Sequence, residues 1–532
     1  MPAQGRAMGR GFERQARTFA ALTLLSRVTG LGRDALLARA FGAGPLLDAF
    51  NFAFQVPNLF RRLFGEGALS ASFLPVYARL DRDDPDAARR FAGLMLAMLS
   101  VFLSGLTIVG ELVLYWLVGS DPPSAFALRL VMIMLPYMPL VCLVALVGAM
   151  LQVHGRVGAT AASPIILNLC IMAAAFVGSE WWEALGLGPA AGDRGHVERV
   201  AWSVMVAGLL QLAVHLWALR HHRVRAHLRL AQDRDHVRGV VLRTLPMLLG
   251  LGVFQLNTFV DSLVASWQTM VGPTILGVPF PLREGSLTFL SYAQRLYEFP
   301  LGVFGVATAT AIFPALARES DRPDQFVETL RRGLRMSFYV AFPASVGLVI
   351  VREPLAAAVY RGGRFTAEDV SMVAYVLALY APAVWAYALQ QIGTRAFYAL
   401  GDTWTPVKLS LWMVGLNFAL NLALIWTPLK VGGLALSTAV CATIQVIAMA
   451  RLLRRRTGPI MDRETVSGFG RTVMATAAMA AVTVLASLGL DSGAGWAWSV
   501  ASLLVLAGVG AIAYVAASRL LRMPELGWTL RR

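Results

Sequence analysis

The sequence has little lysine, little charge and few cysteines, and each scarcity excludes a class of protein. Of 47 basic residues only Lys408 and Lys430 are lysines, and neither follows a glycine. A phosphate-binding P-loop requires Gly-Lys-Ser or Gly-Lys-Thr, so the chain is not by itself an ATP-driven pump. The three cysteines, Cys142, Cys170 and Cys441, lie within apolar runs and form no CxxC pair. A disulfide framework is therefore not expected.

What the sequence has in abundance is apolar residues, which make up 57% of the chain against 15% charged, with a mean hydropathy of +0.62. Soluble domains are usually about 45–50% apolar and about 25% charged, so the composition indicates a membrane protein. Apolar helices of about 20 residues cross a bilayer, and fourteen candidates lie between residues 18 and 518. Four of them are long and interrupted by glycine, proline or charge: 18–44, 46–78, 286–316 and 369–400.

The connecting loops predict the orientation of these spans. With the N-terminus inside, the inner loops hold 31 arginine and lysine residues and the outer loops hold 6. This asymmetry is what the positive-inside rule requires, so both termini are expected in the cytoplasm. The net charge of +16 then follows from topology, and a nucleic-acid partner is not expected.

Segments recur about 240 residues apart. Residues 73–79, FLPVYAR, resemble residues 312–318, IFPALAR, and two proline pairs, Pro139 with Pro382 and Pro164 with Pro406, recur at similar offsets. The repeat predicts two like-oriented halves of six helices with two helices appended, which is a transporter plan with a site between the halves. The predicted fold class is thus an all-α integral membrane protein of 14 transmembrane helices. The predicted divisions are an N-lobe at 1–225, a C-lobe at 226–455 and the last two helices with the tail at 456–532.

Five arginines lie deep within these spans: Arg27, Arg33, Arg61, Arg62 and Arg295. Each would cost about 2.5–3.5 kcal/mol at the centre of a lipid-exposed helix. They are therefore expected to face protein or a hydrated cavity. The acidic residues within the spans are Asp34, Asp48, Glu66, Asp261 and Glu298.

Two interpretations of these charges stay open. One is a buried ion-pair network that holds the helices together, and the spacing of Arg295 and Glu298 suits a pair on one helix. The other is a cationic cavity with arginine left over for an anionic ligand. Because the planar guanidinium binds phosphate oxygens in pairs, the second interpretation predicts a phosphate or diphosphate head group.

Three blocks of sequence resemble the MurJ (MviN) family. The first block comprises Ser26–Asp34, Phe41–Gly44 and Asp48–Phe50, the second is Pro57–Ser70, and the third is Tyr292–Pro300. The similarity runs from about residue 15 to 450, and the last two helices match by position and hydropathy. These proteins are lipid II flippases of the multidrug/oligosaccharidyl-lipid/polysaccharide (MOP) exporter superfamily.

The resemblance implies a non-enzymatic transporter of the bacterial inner membrane. It would move the undecaprenyl-diphosphate precursor of peptidoglycan from the cytoplasmic to the periplasmic leaflet by alternating access. Lipid II and the membrane are the implied partners, with other peptidoglycan-synthesis proteins as further candidates. The implied substrate-binding residues are Arg27, Arg33, Arg61, Arg62, Arg295, Ser26 and Asn58. The implied gate or cavity acids are Asp34, Asp48, Glu66 and Glu298.

The resemblance implies no organic cofactor, but some relatives carry a sodium site. The matching positions here are Asp261, Asn417, Asn421 and Ser437, whose oxygen atoms suit a small hard cation. The alternative for the amides and the serine is hydrogen bonding between helices. The membrane potential is a second candidate driving force, since one charge moved through 100 mV yields about 2.3 kcal/mol.

Three other functions compete with lipid II transport. A flippase for another undecaprenyl-linked glycan, such as an O-antigen unit, would carry similar arginines. A multidrug or cation exporter of the same superfamily would need an excess of acids in its cavity, whereas arginine is in excess here. A glycan-lipid transferase would need an Asp-rich metal motif or a nucleophile beside a base, and neither stands out at the span ends.

Overall fold

The structure is a computed structural model that describes residues 2–65, 68–120, 124–177, 192–221, 252, 255, 257–302, 306–490 and 495–530. Within these residues the regular structure is helical apart from one two-stranded hairpin. The chain forms two compact units, Met1–Phe280 and Pro281–Arg532.

The described residues of the first unit form nine labelled α-helices, a π-helix and the hairpin. They are α1 (Pro2–Phe41), α2 (Pro45–Phe60), a π-helix (Arg61–Gly65), α3 (Ala68–Asp83), α4 (Pro85–Gly119), α5 (Ala125–Met134), α6 (Tyr137–Val153), α7 (Gly158–Phe176), α8 (Gly192–His221), α9 (Trp267–Met270), β1 (Thr274–Ile275) and β2 (Val278–Pro279). Residues 257–265 are also helical. The core consists of large side chains from α3, α4 and α6, such as Phe73, Phe91 and Met150, each fully buried.

The second unit repeats this order and adds three helices. They are α10 (Ser286–Pro300), α11 (Val306–Arg318), α12 (Pro323–Tyr360), α13 (Ala367–Tyr380), α14 (Ala383–Ala399), α15 (Trp404–Leu424), α16 (Val431–Thr457), α17 (Arg463–Leu488), α18 (Trp496–Leu520) and α19 (Pro524–Leu530). Its core joins α11, α12, α14 and α16 through Leu316, Leu330, Phe397 and Leu453.

The two units are built on one pattern. In the first unit, α2 packs on α5, α3 packs on α4 and α6, and α8 packs on α6 and α7. In the second unit, the equivalent helices make the same contacts: α10 packs on α13, α11 packs on α12 and α14, and α16 packs on α14 and α15. The π-helical turns begin at Arg61 and at Leu301, 240 residues apart. Helices α4 and α12 both begin with a proline, at Pro85 and Pro323, where the missing N–H has no helical partner to lose. The two pseudo-symmetric lobes and two appended helices, predicted from the repeat, are confirmed.

The register predicted from the prolines is wrong by about one helical turn. The residue that precedes α14 is Pro382, and its counterpart before α6 is Pro136, not Pro139. Pro164 lies inside α7, in its second turn, whereas Pro406 lies near the start of α15. Helices α12 and α13 are three and four residues longer than their counterparts α4 and α5, which raises the offset to 246 at Pro136 and Pro382. A proline match at a constant offset therefore selects the wrong residue.

The number of membrane crossings is only partly established. Among the described residues, nine helices are long and apolar enough to cross a bilayer, and the pair α13–α14, bent by 41°, makes a tenth. The other four predicted crossings are α1, α2 with α3, α10 with α11, and span 239–265, which lies largely outside the described residues. Of the three that are described, α1 carries Arg27, Arg33 and Asp34, and each of the other two is divided by a π-helical turn. For these reasons they are not counted among the ten apolar spans. The count of fourteen stays a prediction.

The predicted division into 1–225, 226–455 and 456–532 also stays a prediction. The boundary at 225/226 lies outside the described residues. The compact units meet instead at Phe280 and Pro281, and the second unit includes the last two long helices.

A buried ion network attaches the appended helices to α12. Arg335 of α12 is 8% exposed, and its Nε donates to Glu525 of α19 at 2.7 Å while its Nη1 donates to Glu464 of α17 at 2.5 Å. Glu525 is 1% exposed, and the Trp528 ring lies 5.2 Å from the Arg335 guanidinium carbon. Arg335 thus joins α12 both to α17 and to the short helix α19.

A neighbouring contact strengthens the same junction. Asp462 caps the N-terminus of α17 and pairs with Arg331 of α12 at 3.1 Å. Hydrogen bonds from the Thr465 hydroxyl and N–H, together with the Arg331 guanidinium, hold the pKa of Asp462 below its usual value. The cap is therefore fully charged at neutral pH, and its contribution to stability is lost only as the pH falls through that lowered value.

We expect Arg335→Ala to destabilise the protein by about 3–5 kcal/mol, because Glu525 would keep its buried charge without a partner. Thermal unfolding in detergent measures this. The control is Arg332→Ala, since Arg332 is exposed, contacts the same Trp528 and pairs only with exposed Glu328. That substitution should change stability by less than about 1 kcal/mol, and equal shifts for the two variants would refute the buried network.

Candidate functional site

In the first unit, the candidate residues of α1 form a polar contact with α7. The Arg33 Nη2 and Nε atoms lie 2.6 and 2.9 Å from Asp34 Oδ1, and Nη1 donates to Asn168 Oδ1 at 3.2 Å. Asn168 in turn donates to the Ser26 carbonyl at 3.2 Å and to the Thr29 hydroxyl at 3.1 Å. Arg33, Asp34 and Asn168 are each at most 7% exposed. The first interpretation of the deep charges, an ion-pair network, therefore describes Arg33; its role as a substrate ligand stays a prediction.

Two glycines of α1, Gly30 and Gly32, face α7. A Cβ atom built on Gly30 would lie 3.5 Å from Asn168 Nδ2, and one on Gly32 would lie 3.6 Å from the Met172 methyl group. These are ordinary van der Waals distances, so the spacing of α1 and α7 would also accommodate a Cβ atom at either position.

Arg27 has a different environment from Arg33. Its side chain is exposed, and it has no ion-pair or hydrogen-bond partner among the described residues. Positions 27 and 34 are two helical turns apart and share one face of α1, and that face is buried at Asp34 and Ala38. Among the deep arginines of α1, Arg27 is the one whose donors remain available to a ligand.

A second group of candidate residues lies at the junction of α2 and the π-helix. Arg61 Nε donates to Asn58 Oδ1 at 2.8 Å, and Arg62 Nη1 donates to Gln255 Oε1 at 3.2 Å. Asn58, Arg61 and Arg62 are partly buried, whereas Asp48 at the start of α2 is fully buried. π-Helical turns are frequent at functional sites, because the altered hydrogen bonding redirects side chains. Glu66, the remaining candidate acid of this segment, lies outside the described residues.

In the second unit, the candidates lie on the last turns of α10. Arg295 Nη1 is 3.8 Å from Glu298 Oε2, and Gln294 Nε2 donates to Glu298 Oε1 at 3.0 Å. The expected pairing of Arg295 with Glu298 is thus present, and both side chains are about 40% exposed. Such an exposed pair contributes little to stability.

The two groups occupy equivalent positions of the repeat. Asn58 and Glu298 each lie three residues before a π-helical turn, and each contacts an arginine three residues away in its own segment. An arginine held beside a break in the helix is therefore a feature of both lobes.

The candidate sodium ligands are divided between the units. Asp261 lies in the first unit, is 7% exposed, and accepts from Asn257 Nδ2 at 3.4 Å. In the second unit, Asn421 Nδ2 donates to Asn417 Oδ1 at 2.9 Å, Asn417 Nδ2 lies 3.3 Å from Ser437 Oγ, and Ser437 Oγ donates to Asn421 Oδ1. These oxygens suit a hard cation chemically. The two amides bond to each other within α15, and Ser437 of α16 bonds to both of them, as the helix–helix alternative requires.

Several polar residues of these groups were not among the sequence-predicted candidates. They are Asn168, Gln255, Gln294 and Thr438, which contact Arg33, Arg62, Glu298 and Asn417, respectively. For Asn168 the available signal was a single amide in an otherwise apolar span, and for Gln294 it was the i,i+4 spacing to Glu298. Gln255 and Thr438 act across helices, so no local spacing indicates them.

Comparison with solved structures identifies the fold. The lipid II flippase MurJ in an inward closed conformation matches with a TM-score of 0.75 at 22% identity, covering 94% of this chain and 98% of that one. An inward-facing multidrug resistance MATE family transporter of the MOP superfamily matches with a TM-score of 0.65 at 13% identity, covering 84% and 98%. The chain therefore has the fold of a MOP-superfamily transporter.

The family follows from sequence comparison. The family model for lipid II flippase MurJ matches residues 37–510. The probable lipid II flippase MurJ of Vibrio cholerae is 31% identical over 519 residues, 93% of each chain. The lipid II flippase MurJ of Burkholderia cenocepacia is 32% identical over 456 residues, 82% of this chain and 83% of the other. The chain belongs to the MurJ lipid II flippase family, which confirms the resemblance read from its motifs.

We expect Arg33→Ala to destabilise the protein by about 3–5 kcal/mol, because buried Asp34 would lose its counter-charge. The double variant Arg33→Ala with Asp34→Ala should recover part of that loss, since no isolated charge remains. Arg27→Ala is the matched control on the same helix and should leave the unfolding temperature in detergent unchanged. A large loss for Arg27→Ala would show that Arg27 is also structural.

Proposed function

We propose that this protein moves lipid II from the cytoplasmic to the periplasmic leaflet of the bacterial inner membrane as a transporter, without covalent chemistry. The observation that carries the proposal, beside family membership, is the position of its arginines. Arg27 lies on α1, within a predicted membrane span. Arg61, Arg62 and Arg295 lie in or near the π-helical turns that interrupt two further predicted spans.

The ligand group that these arginines suit is the diphosphate that joins the sugar to the lipid. A guanidinium presents a planar fork of N–H donors that matches two phosphate oxygens, and its charge is permanent. Binding the diphosphate supplies the counter-charge that an exposed arginine such as Arg27 lacks among the described residues. The undecaprenyl tail stays in the hydrocarbon, because transferring it into a wet cavity would cost about 0.8 kcal/mol per CH₂ group.

The mechanism that fits two pseudo-symmetric lobes is alternating access. A cavity open to the cytoplasm takes up the head group, arginines bind its diphosphate, and the lobes then rock so that the cavity opens to the periplasm. The π-helical turns after Asn58 and Glu298 are the suggested bending points, because they interrupt α-helical hydrogen bonding beside the binding arginines.

The predicted topology gives this cycle its direction. Positive residues concentrate in the loops assigned to the cytoplasm, so both termini are proposed to lie inside. Lipid II made at the inner surface would then enter from the side of the termini. Other peptidoglycan-synthesis proteins are proposed partners on either side of the membrane.

The experiment that tests the function is rescue of cells depleted of their lipid II flippase. Leaflet-resolved labelling of lipid II measures translocation directly, and growth alone is insufficient as a readout. Rescue of an O-antigen flippase deletion in place of lipid II transport would favour the related glycan-lipid function instead.

We expect Arg27→Ala and Arg295→Ala each to abolish translocation while the protein still inserts at the normal level. Arg27→Lys should retain part of the activity, because it keeps the charge and loses the paired donors. The measurement is outer-leaflet lipid II in the depleted cells.

The matched control for these variants is Arg129→Ala. Arg129 also lies in a predicted span, but its side chain is 64% exposed and pairs with Glu198 at 3.2 Å, so the variant should flip lipid II normally. Full activity in Arg27→Ala or Arg295→Ala would remove these residues from the binding site.

We further propose that Asp261, Asn417, Asn421 and Ser437 bind sodium and couple it to transport, alongside the membrane potential. In support, one carboxylate, two amides and a hydroxyl form a donor set of hard oxygens. When bound, the ion would neutralise the Asp261 carboxylate.

Asp261→Asn should remove any stimulation of lipid II translocation by sodium while leaving the dependence on membrane potential. Translocation in proteoliposomes, compared with and without a sodium gradient at a fixed potential, measures this. If sodium stimulates the variant as strongly as the parent protein, the proposed sodium site is wrong, and the role of the amides and the serine is hydrogen bonding between helices.

A further inference from the structure

The hairpin between the helix at 257–265 and α10 has a rigid base. β1 and β2 pair antiparallel, with Thr274 opposite Pro279 and Ile275 opposite Val278. The Trp267 ring stacks on Phe280 with centroids 5.4 Å apart, and its Nε1 donates to the Thr274 carbonyl at 3.3 Å. The hairpin is thus held in place by α9.

The tip of the hairpin is apolar and uncovered. Its two turn residues are Leu276 and Gly277, with φ values of +50° and +81°. A turn with two positive φ angles favours Asn-Gly, because leucine is strained in this region. Leu276 is nevertheless present and is 100% exposed, and Val271 and Val278 of the same loop are half exposed. Local backbone energy therefore does not account for leucine at this position.

The charge pattern indicates what the tip contacts. From residue 262 to residue 282 the sequence carries no charged side chain. The outer loop predicted at 352–368, by contrast, carries Arg352, Glu353, Arg361, Arg364 and Glu368. Protein interfaces keep a polar rim, whereas the headgroup region of a bilayer accepts uncharged apolar and aromatic side chains. Trp267, with an apolar ring and one N–H donor, is typical of that region.

We propose that this hairpin is an interfacial anchor that inserts the side chain of Leu276, flanked by Val271 and Val278, into the surface of the lipid bilayer. The depth is limited by the backbone. The strands are two residues long, and the N–H and C=O groups on their outer edges need water, so the hairpin itself stays at the level of the headgroups. The anchor places a fixed point of membrane contact directly before α10, which carries Arg295.

The test uses an environment-sensitive fluorophore on a cysteine introduced by Leu276→Cys, with Cys142, Cys170 and Cys441 replaced by alanine. The full-length protein is reconstituted in vesicles of phosphatidylethanolamine and phosphatidylglycerol. A phosphatidylcholine with a nitroxide near its headgroup quenches from the lipid, and iodide quenches from water. The control label is at Glu284→Cys, an exposed position of the same loop.

The label at position 276 should be quenched several-fold more by the lipid nitroxide than the label at 284, and several-fold less by iodide. Equal iodide quenching at the two positions would overturn the proposal, because the tip would then be in water. Protection from both quenchers would also overturn it, since the tip would then be covered by protein.

A second variant separates lipid contact from folding of the hairpin. Leu276→Asn suits the turn better and removes the apolar side chain. A label placed by Val278→Cys should be protected from iodide in the parent protein and become accessible in the Leu276→Asn background. An unchanged label would show that Leu276 does not hold the hairpin in the membrane.

Discussion

The cost of holding a guanidinium in hydrocarbon is the constraint on which this fold depends. This cost is about 2.5–3.5 kcal/mol at the centre of a lipid-facing helix. The two deep arginines of α1 differ in how their charge is compensated. Arg33 is surrounded by Asp34 and Asn168, so its charge is neutralised within the first unit. Arg27, on the same helix, has no such partner among the described residues. Both arginines lie on a helix that is not among the ten apolar spans of the described residues.

The backbone of the two lobes repeats more faithfully than their polar side chains. At a spacing of 240 residues, Asn58 corresponds to Glu298 and Gln55 corresponds to Arg295. Gln55 donates to the Thr258 carbonyl at 3.4 Å, whereas Arg295 pairs with Glu298. The same helix break thus presents a neutral amide contact in one lobe and an ion pair in the other.

The sequence predicted the helices, the repeat and the deep arginines, because each depends on local composition. Apolar length indicates a span, and an arginine within it is visible without a structure. The sequence did not separate Arg33 from Arg27, since that distinction depends on Asn168, 135 residues beyond Arg33. It also missed α19, because Glu525 is buried only through Arg335 on a distant helix. The proline register was wrong because α12 and α13 are longer than α4 and α5.

The π-helical turn at Arg61–Gly65 has a geometric consequence. Such a turn closes its hydrogen bonds one residue later than an α-helical turn. Each residue of an α-helix advances the direction of its side chain by about 100°. A return of this segment to α-helix would therefore slide the register by one position and rotate α2 by about that angle against α3. Arg62 would then point where Arg61 had pointed, so a small change in backbone pairing exchanges one guanidinium for its neighbour.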